Sequence, residues 1–316
     1  MQLIVAVTPA EVIRLRAIYE NGLKNLVPGL RLLEDVSAIR EVEPHCVGLA
    51  AIHSPNTGIV DFQQVATCFG RDVQQLGGDV VIKFGVTKFV QDGTAGVRIF
   101  ARDGREVLAK NVITCGGLFA DRLAEMAGGQ RHPPIVCFRG EFLRMKPESR
   151  RLVRGLIYPV PDPRFPFLGV HFTKRVDGNV DIGPNAVLAF AREGYRYTDI
   201  NFRDLAEFLG LKGMRTLLAR NWRFAVNEFH KSLVQGAQVK YLRQYVPEVE
   251  PSMLETGPSG VRALAMGDDG SLLDDFIFEA PTRNTLHVRN APSPAATSSI
   301  TIGREVAARA SAQFFS

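Results

Sequence analysis

A histidine inside an apolar run, two isolated arginines and a loop of small residues are the parts of this 316-residue chain that can do chemistry. His171 sits in the run Phe167–Lys174, whose alternation predicts a strand with the imidazole pointing opposite Val170 and Phe172. A pKa near neutrality suits such a histidine to act as a general base. The plainer reading, a hydrogen-bonded histidine of the core, stays open. Arg139, in F-R-G-E-F, and Arg262, in G-V-R-A-L, stand among apolar residues and glycine. A guanidinium is a planar fork that can clamp a ligand carboxylate or pair with one inside the protein. Further on, Asn290–Ser299 reads N-A-P-S-P-A-A-T-S-S before a helix. Helix-initiating N–H groups and the helix dipole favour an anion or an electron-rich ligand edge there. Ala295 and Ala296 leave room for it, although most capped helices hold no ligand.

Composition narrows the classes. Apolar content of 46% and charged content of 22% are those of a globular protein, and the length suggests about two domains. Lys and Arg are scattered, so the net charge of +5 marks no nucleic-acid module. A mildly basic surface suits an anionic substrate or peripheral contact with a membrane, but solvated surface charge is the better explanation of it. Cys46, Cys68, Cys115 and Cys137 form no C-x-x-C and have no histidine pair beside them, so no metal site is expected and the thiols are read as buried and reduced. Asp268-Asp269-Gly270 and Asp274-Asp275 match no Ca²⁺-loop spacing and read as a turn. No apolar run reaches the ~18 residues that span a bilayer. The chain opens directly on strand-like and helix-like sequence with no leader pattern, so Met1 is read as lying within a longer ancestral pattern.

The elements that must position these residues follow. Leu3–Val7 predicts a strand, and Thr8-Pro9-Ala10-Glu11 a capping box opening a helix to about Asn21. Asp35–Val42 predicts a short helix. Asp61 caps another, with Val65, Cys68, Phe69, Val73 and Leu76 on its apolar face. Val80–Phe84, Val86–Gln91, Val97–Ala101, Val107–Leu108 and Asn111–Cys115 predict an antiparallel meander, followed by Gly116-Gly117 and a helix at Asp121–Met126. Ile135–Met145, Gly155–Val160, Phe167–Lys174 and Asn179–Ile182 predict a second sheet, and Asp199–Leu242 is mostly helical. Strands return at Asp275–Glu279 and Thr285–Arg289. A last helix is expected, capped by Ser293 with Pro294 at its first turn and an apolar face of Ile300, Val306, Ala307, Ala310 and Phe314. Two interleaved α/β units fit this order.

The runs Ser54–Phe62, Phe138–Phe142, Leu156–Val187, Ser259–Ala263 and Asn290–Ser299, in this order, resemble the L-2-hydroxyglutarate dehydrogenase/oxidase family of D-amino-acid-oxidase-like flavoproteins. The resemblance implies FAD-dependent oxidation of a small anionic hydroxy acid, L-2-hydroxyglutarate, to 2-oxoglutarate. Electrons would pass to a quinone or electron-transfer chain, or to oxygen. It implies an α/β (α+β) fold: a Rossmann-like FAD-binding domain over 61–130 and 259–316, interleaved with an antiparallel-sheet substrate domain over 1–60 and 131–258. Val86 would lie by the adenine, Gly116 at a flavin contact, and Asn290, Ala291, Pro292, Ala296, Thr297 and Ser298 along the flavin ring. Arg262 matches a substrate-facing arginine; Arg139 stays the candidate carboxylate clamp, and His171 is the candidate for the base. The implied compartment is mitochondrial in a eukaryote, and cytoplasmic or inner-membrane-associated in a bacterium. Family members open with a G-x-G-x-x-G turn that this chain lacks; it reads Met1-Gln2-Leu3-Ile4-Val5-Ala6 where the family reads G-K-L-I-V-A. Roughly the first eighty to ninety residues of the pattern, including the pyrophosphate site, are therefore expected to lie outside it. Alone, it is expected to bind FAD poorly and to aggregate. A non-catalytic binding chain, or a flavin enzyme for another small hydroxy or amino acid, remain alternatives.

Overall fold

The computed structural model describes residues 1–315 apart from 94, 162–168, 221, 223–234 and 293–294. In chain order the strands are β1 Gln2–Ala6, β2 Arg31–Leu33, β3 Ala50–Ser54, β4 Val86–Gln91, β5 Val97–Ala101, β6 Glu106–Ala109, β7 Val112–Thr114 and β8 Ile135–Met145. They continue with β9 Leu156–Pro159, β10 His171–Lys174, β11 Val180–Gly183, β12 Val187–Leu188, β13 Leu254–Ala265, β14 Ile277–Glu279 and β15 Thr285–Asn290. The helices are α1 Pro9–Lys24, α2 Val36–Val42, α3 Phe62–Gln75, α4 Ala120–Met126, α5 Phe202–Gly210, α6 over 212–220, α7 Gln235–Leu242 and α8 Ser299–Phe314. The chain forms two compact units: Met1–Asp61, Arg139–Val187 and Arg223–Gly260 in the first, Phe62–Phe138, Leu188–Trp222 and Val261–Ser316 in the second. Residues 131–138 and 188–222 thus fall with the second unit, where the expected domain split put them with the first. The cause is packing: Ile135, Val136, Cys137, Ala189, Phe208 and Met214 share one buried cluster.

The first unit is built on a mixed sheet ordered β12-β8-β11-β10-β9-β1-β3-β2, with β13 also on β8. β1 runs parallel to β9 and antiparallel to β3. Its residues face two cores. Leu3 and Val5 pack into one cluster with Ile39, Phe172 and Ile182, while Ile4 and Ala6 pack with Leu15, Ile52 and Val160. Burial on both faces explains the unbroken apolar run at 3–6. The capping box forms as expected: the Glu11 N–H donates to Thr8 Oγ1 at 3.3 Å, and Glu11 Oε2 accepts from Thr8 N at 3.0 Å and Val7 N at 2.8 Å. It starts α1 on the Leu15 side of the sheet. Asp35 caps α2 through the Ala38 N–H at 2.9 Å. Buried Glu43 then accepts from Arg154 N at 2.9 Å and Gly155 N at 2.6 Å, fixing the entry to β9. Burial raises its pKa, against the lowering pull of those two N–H groups. Gly155 and Gly48 sit where a Cβ would meet the Met1 carbonyl at 2.9 Å and Val5 Cγ1 at 2.5 Å.

The second unit holds the sheet β14-β15-β7, in which β15 and β7 run parallel, and the antiparallel meander β4-β5-β6. Val80–Phe84 forms no strand. Lys83 takes a left-handed φ of +56°, and Val80, Val81 and Ile82 are exposed, so this β-branched run has no ladder among the described residues. Helix α3 forms, yet none of its residues is buried and Phe69, Val73 and Leu76 face outward. Helix α8 begins at Ser299 after a 3₁₀ turn over Ala296–Ser298, later than the expected cap, whose residues Ser293 and Pro294 lie outside the described set. Of its expected apolar face, Val306 and Ala310 are buried and Ile300 is exposed. All four cysteines are free, but Cys68 and Cys115 are exposed rather than buried, Cys68 because it rides on α3. Among the described residues no helix is long and apolar enough to cross a membrane, and no acidic, histidine or cysteine cluster could hold a metal.

Two outcomes follow from this packing. Leu15→Ala deletes a fully buried side chain between α1 and β1 and should lower the unfolding free energy by about 2–5 kcal/mol, against about 1 kcal/mol for Thr8→Ala, read from urea denaturation. His287 on β15 is buried, with Nδ1 2.7 Å from Thr114 Oγ1 on β7. Burial is the main cause of its lowered pKa; Glu279 opposes the shift and Arg289 adds to it. The unfolded chain therefore takes up a proton at this site first as pH falls below about 6.5. The contribution is full above that value and is lost as pH drops through the folded-state pKa. Comparing urea midpoints at neutral pH and at mildly acidic pH should show a loss in the wild type that is smaller in His287→Gln.

Candidate active site

In the second unit, β7 ends at Thr114 and the chain turns through Cys115, Gly116 and Gly117 into α4. A Cβ on Gly116 would meet Leu123 Cδ1 at 2.4 Å, so the turn packs closely on α4. Gly117 has a φ of +51°, with open space where its Cβ would be. This open side faces a cavity of about 150 Å³ whose walls include Cys115, Gly117, Ala120, Ile135, Ala263 and Asn290–Ala291. Val288 and Arg289 complete the lining, and the small residues among these let a flat ring edge approach the backbone closely. A larger groove of about 560 Å³ adjoins it at Cys115 and is lined by Ala295, Ala296, Ile302, Val306 and Ile113. Of the expected cofactor residues, Asn290, Ala291 and Ala296 line these two hollows, and Gly116 lies between the lining residues Cys115 and Gly117. The small residues along these walls leave room for the edge of a planar group.

Other expected residues take different roles. Asn290 is buried, and its Nδ2 donates to the Leu273 carbonyl at 3.1 Å and the Asp275 carbonyl at 2.8 Å, so its amide holds a neighbouring turn. Thr297 and Ser298 lie exposed in the 3₁₀ turn before α8, and Pro292 is half-buried. Val86 opens β4 opposite Ala101 and lines neither hollow. Arg262 lies on β13 next to Ala263, where burial lowers its pKa.

In the first unit, four neighbouring strands carry a polar group. Arg139 on β8 is wholly buried, and its Nε donates to Glu141 Oε1 at 3.1 Å. The Glu141 N–H donates to Asn185 Oδ1 at 2.9 Å, just beyond β11. His171 opens β10, opposite Gly183, and stacks on Tyr158 of β9 with ring centroids 4.1 Å apart. Its Nδ1 lies 2.9 Å from the Gly169 carbonyl. A carbonyl only accepts, so Nδ1 carries a proton, and in the neutral tautomer Nε2 is then the basic nitrogen. Of the two readings of Arg139, the internal pair is the one this geometry draws. Glu141, Asn185 and Tyr158 were missed from sequence. Glu141 was within reach, because residues two apart on a strand share a face. Asn185 and Tyr158 had no local signal.

Residues 1–309 match the family described as FAD dependent oxidoreductase. A mitochondrial L-2-hydroxyglutarate dehydrogenase from Nematostella vectensis is 50% identical over 99% of this chain and 72% of its own length. The Homo sapiens protein of that name is 47% identical over 97% of this chain and 69% of its own. The L-2-hydroxyglutarate dehydrogenase of Escherichia coli is 41% identical over 98% of this chain and 72% of its own. Among solved structures, FAD-bound L-α-glycerophosphate oxidase from Mycoplasma pneumoniae has a TM-score of 0.71 at 17% identity, covering 97% of this chain and 71% of that one. That likeness speaks for the mixed α/β fold alone. With a family match over nearly its whole length and relatives this similar, the chain belongs to the FAD-dependent oxidoreductases, in the branch that holds the L-2-hydroxyglutarate dehydrogenases.

Proposed function

We propose that this chain serves the oxidation of L-2-hydroxyglutarate to 2-oxoglutarate. The reading is carried by identity of 41–50% across almost the entire chain to dehydrogenases named for that substrate. When bound, FAD supplies the acceptor for the hydride leaving C2 of the substrate. The second unit is the cofactor side. The Cys115–Gly117 turn with Ala120, Ala263 and Ala291 would hold a ring edge, with Pro292 and Ala296–Ser298 beside it and Val86 toward the adenine. The first unit is the substrate side. His171 takes the hydroxyl proton at Nε2, the nitrogen left basic by the bond from Nδ1 to Gly169. Tyr158 fixes the plane of the ring by stacking. Arg262, on the part of β13 that belongs to the second unit, is the substrate clamp in this reading, its planar fork matching a carboxylate. Arg139 with Glu141 shapes the neighbouring wall. The electrons then leave to a quinone, an electron-transfer chain or oxygen. Eukaryotic relatives carry a mitochondrial name and the bacterial one does not, and the same split of compartments is proposed here.

The test supplies FAD with L- or D-2-hydroxyglutarate and follows bleaching of a redox dye, a quinone analogue or oxygen uptake. The L isomer should be oxidised and the D isomer left alone. His171→Gln should cut turnover by about 10²–10⁴-fold with FAD affinity unchanged. Arg262→Lys should chiefly raise KM. A flavin-loaded chain that leaves L-2-hydroxyglutarate untouched but oxidises another hydroxy or amino acid would replace this substrate assignment.

A further inference from the structure

The 150 Å³ slot beside Cys115 and Gly117 is braced from behind by a buried ion pair that does not line it. Asp121 and Arg192 are both buried, 71 residues apart in sequence, and meet through two bonds: Nη1 to Oδ1 at 2.6 Å and Nη2 to Oδ2 at 2.9 Å. Each partner also grips the slot's walls. Arg192 Nη1 donates to the Leu118 carbonyl at 2.6 Å, one residue past Gly117. Asp121 Oδ2 accepts from the N–H of the wall residue Ile135 at 3.1 Å, and Asp121 itself follows the wall residue Ala120 at the start of α4. Asp204 on α5 accepts the Arg192 N–H at 2.9 Å and the Arg122 guanidinium, so the pair is held at a set depth. Arg122 and Arg131 also bond Glu207; burial alone would raise that carboxyl, but these bonds win and bring it down to about 2.

We infer that Asp121 and Arg192 are the positioning residues of the cofactor slot: one desolvated fork fixes the Gly117–Leu118 turn, Ile135 and the head of α4 relative to one another. The inference rests on reading the slot as the flavin side. The fork geometry is essential, because a lysine ammonium cannot reach both Asp121 oxygens and the Leu118 carbonyl together. A buried ion pair is weak grounds for a stabilising role, so its part in this inference is placement.

The experiment compares the full chain with Arg192→Lys, and with Arg192→Gln should the lysine variant be insoluble. FAD affinity is measured by quenching of flavin fluorescence, and unfolding by circular dichroism. The local position of the turn is read from the thiol-labelling rate of Cys115 relative to Cys68, both exposed. Cys46 and Cys137 are buried with thiol pKa values pushed up to about 12, so they stay silent. The expected result is a dissociation constant for FAD raised by at least about tenfold, the low end for losing one charge-assisted hydrogen bond, with a Cys115-to-Cys68 rate ratio raised severalfold. In a chain that binds FAD, a lowered melting temperature with either readout unchanged overturns the inference. If the wild-type chain does not quench flavin fluorescence, the cofactor reading of the slot fails instead, and the thiol ratio alone then decides whether the brace positions the turn.

Discussion

Arg139, Arg192 and Arg289 are each buried to 2% exposure or less, and a guanidinium taken that far from water must bring its counter-charge along. Each does: Glu141, Asp121 and Glu279 stand against them. Two of the three also bind main-chain carbonyls, Arg192 at Leu118 and Arg289 at Arg131 and Pro133. Because an unmatched buried charge costs several kcal/mol, these carbonyls and carboxylates cannot drift independently. The Gly117–Leu118 turn and the carbonyls of Arg131 and Pro133 are thereby tied to buried ion pairs.

The chemistry is correspondingly divided. Small residues and Arg289 touch the slot, while the Asp121–Arg192 pair that bonds two of its walls does not line it. Asn290 shows the pattern in one side chain: its place in a ligand-like loop suggested contact with a cofactor, while its amide is committed to two carbonyls of the chain. His171 shows the complementary case. The bond at Nδ1 to the Gly169 carbonyl fixes which ring nitrogen donates within the chain.

Local chemistry was readable in the residues. The Thr8–Glu11 box, the Asp35 cap and the meander from Val86 to Ala109 each depend on neighbours within a few positions, and each formed near the expected place. What depends on distant partners was not readable. The apolar stripe of α3 fitted a buried helix by periodicity, and Val80–Ile82 fitted a strand by composition. Yet neither pattern says whether a covering face or a ladder partner is present, and both are exposed. The Asp121–Arg192 pair spans 71 residues and left no trace in the spacing of either. Family resemblance carried the reading further than periodicity did, since it compares whole orders of motifs at once.

The double burial of β1 has a consequence for how this chain finds its fold. In most sheets a one-residue slip moves apolar side chains to the wet face and is rejected on that ground. Leu3, Ile4, Val5 and Ala6 face apolar cores on both sides, so a slipped β1 would meet no polarity mismatch. Alignment must then be enforced at the ends. There Gly48 and Gly155 leave no room for a side chain beside Val5 and Met1, and Glu43 clamps the start of the parallel neighbour. Two glycines and a carboxylate thus act as end-stops for a strand whose own sequence is blind to its register.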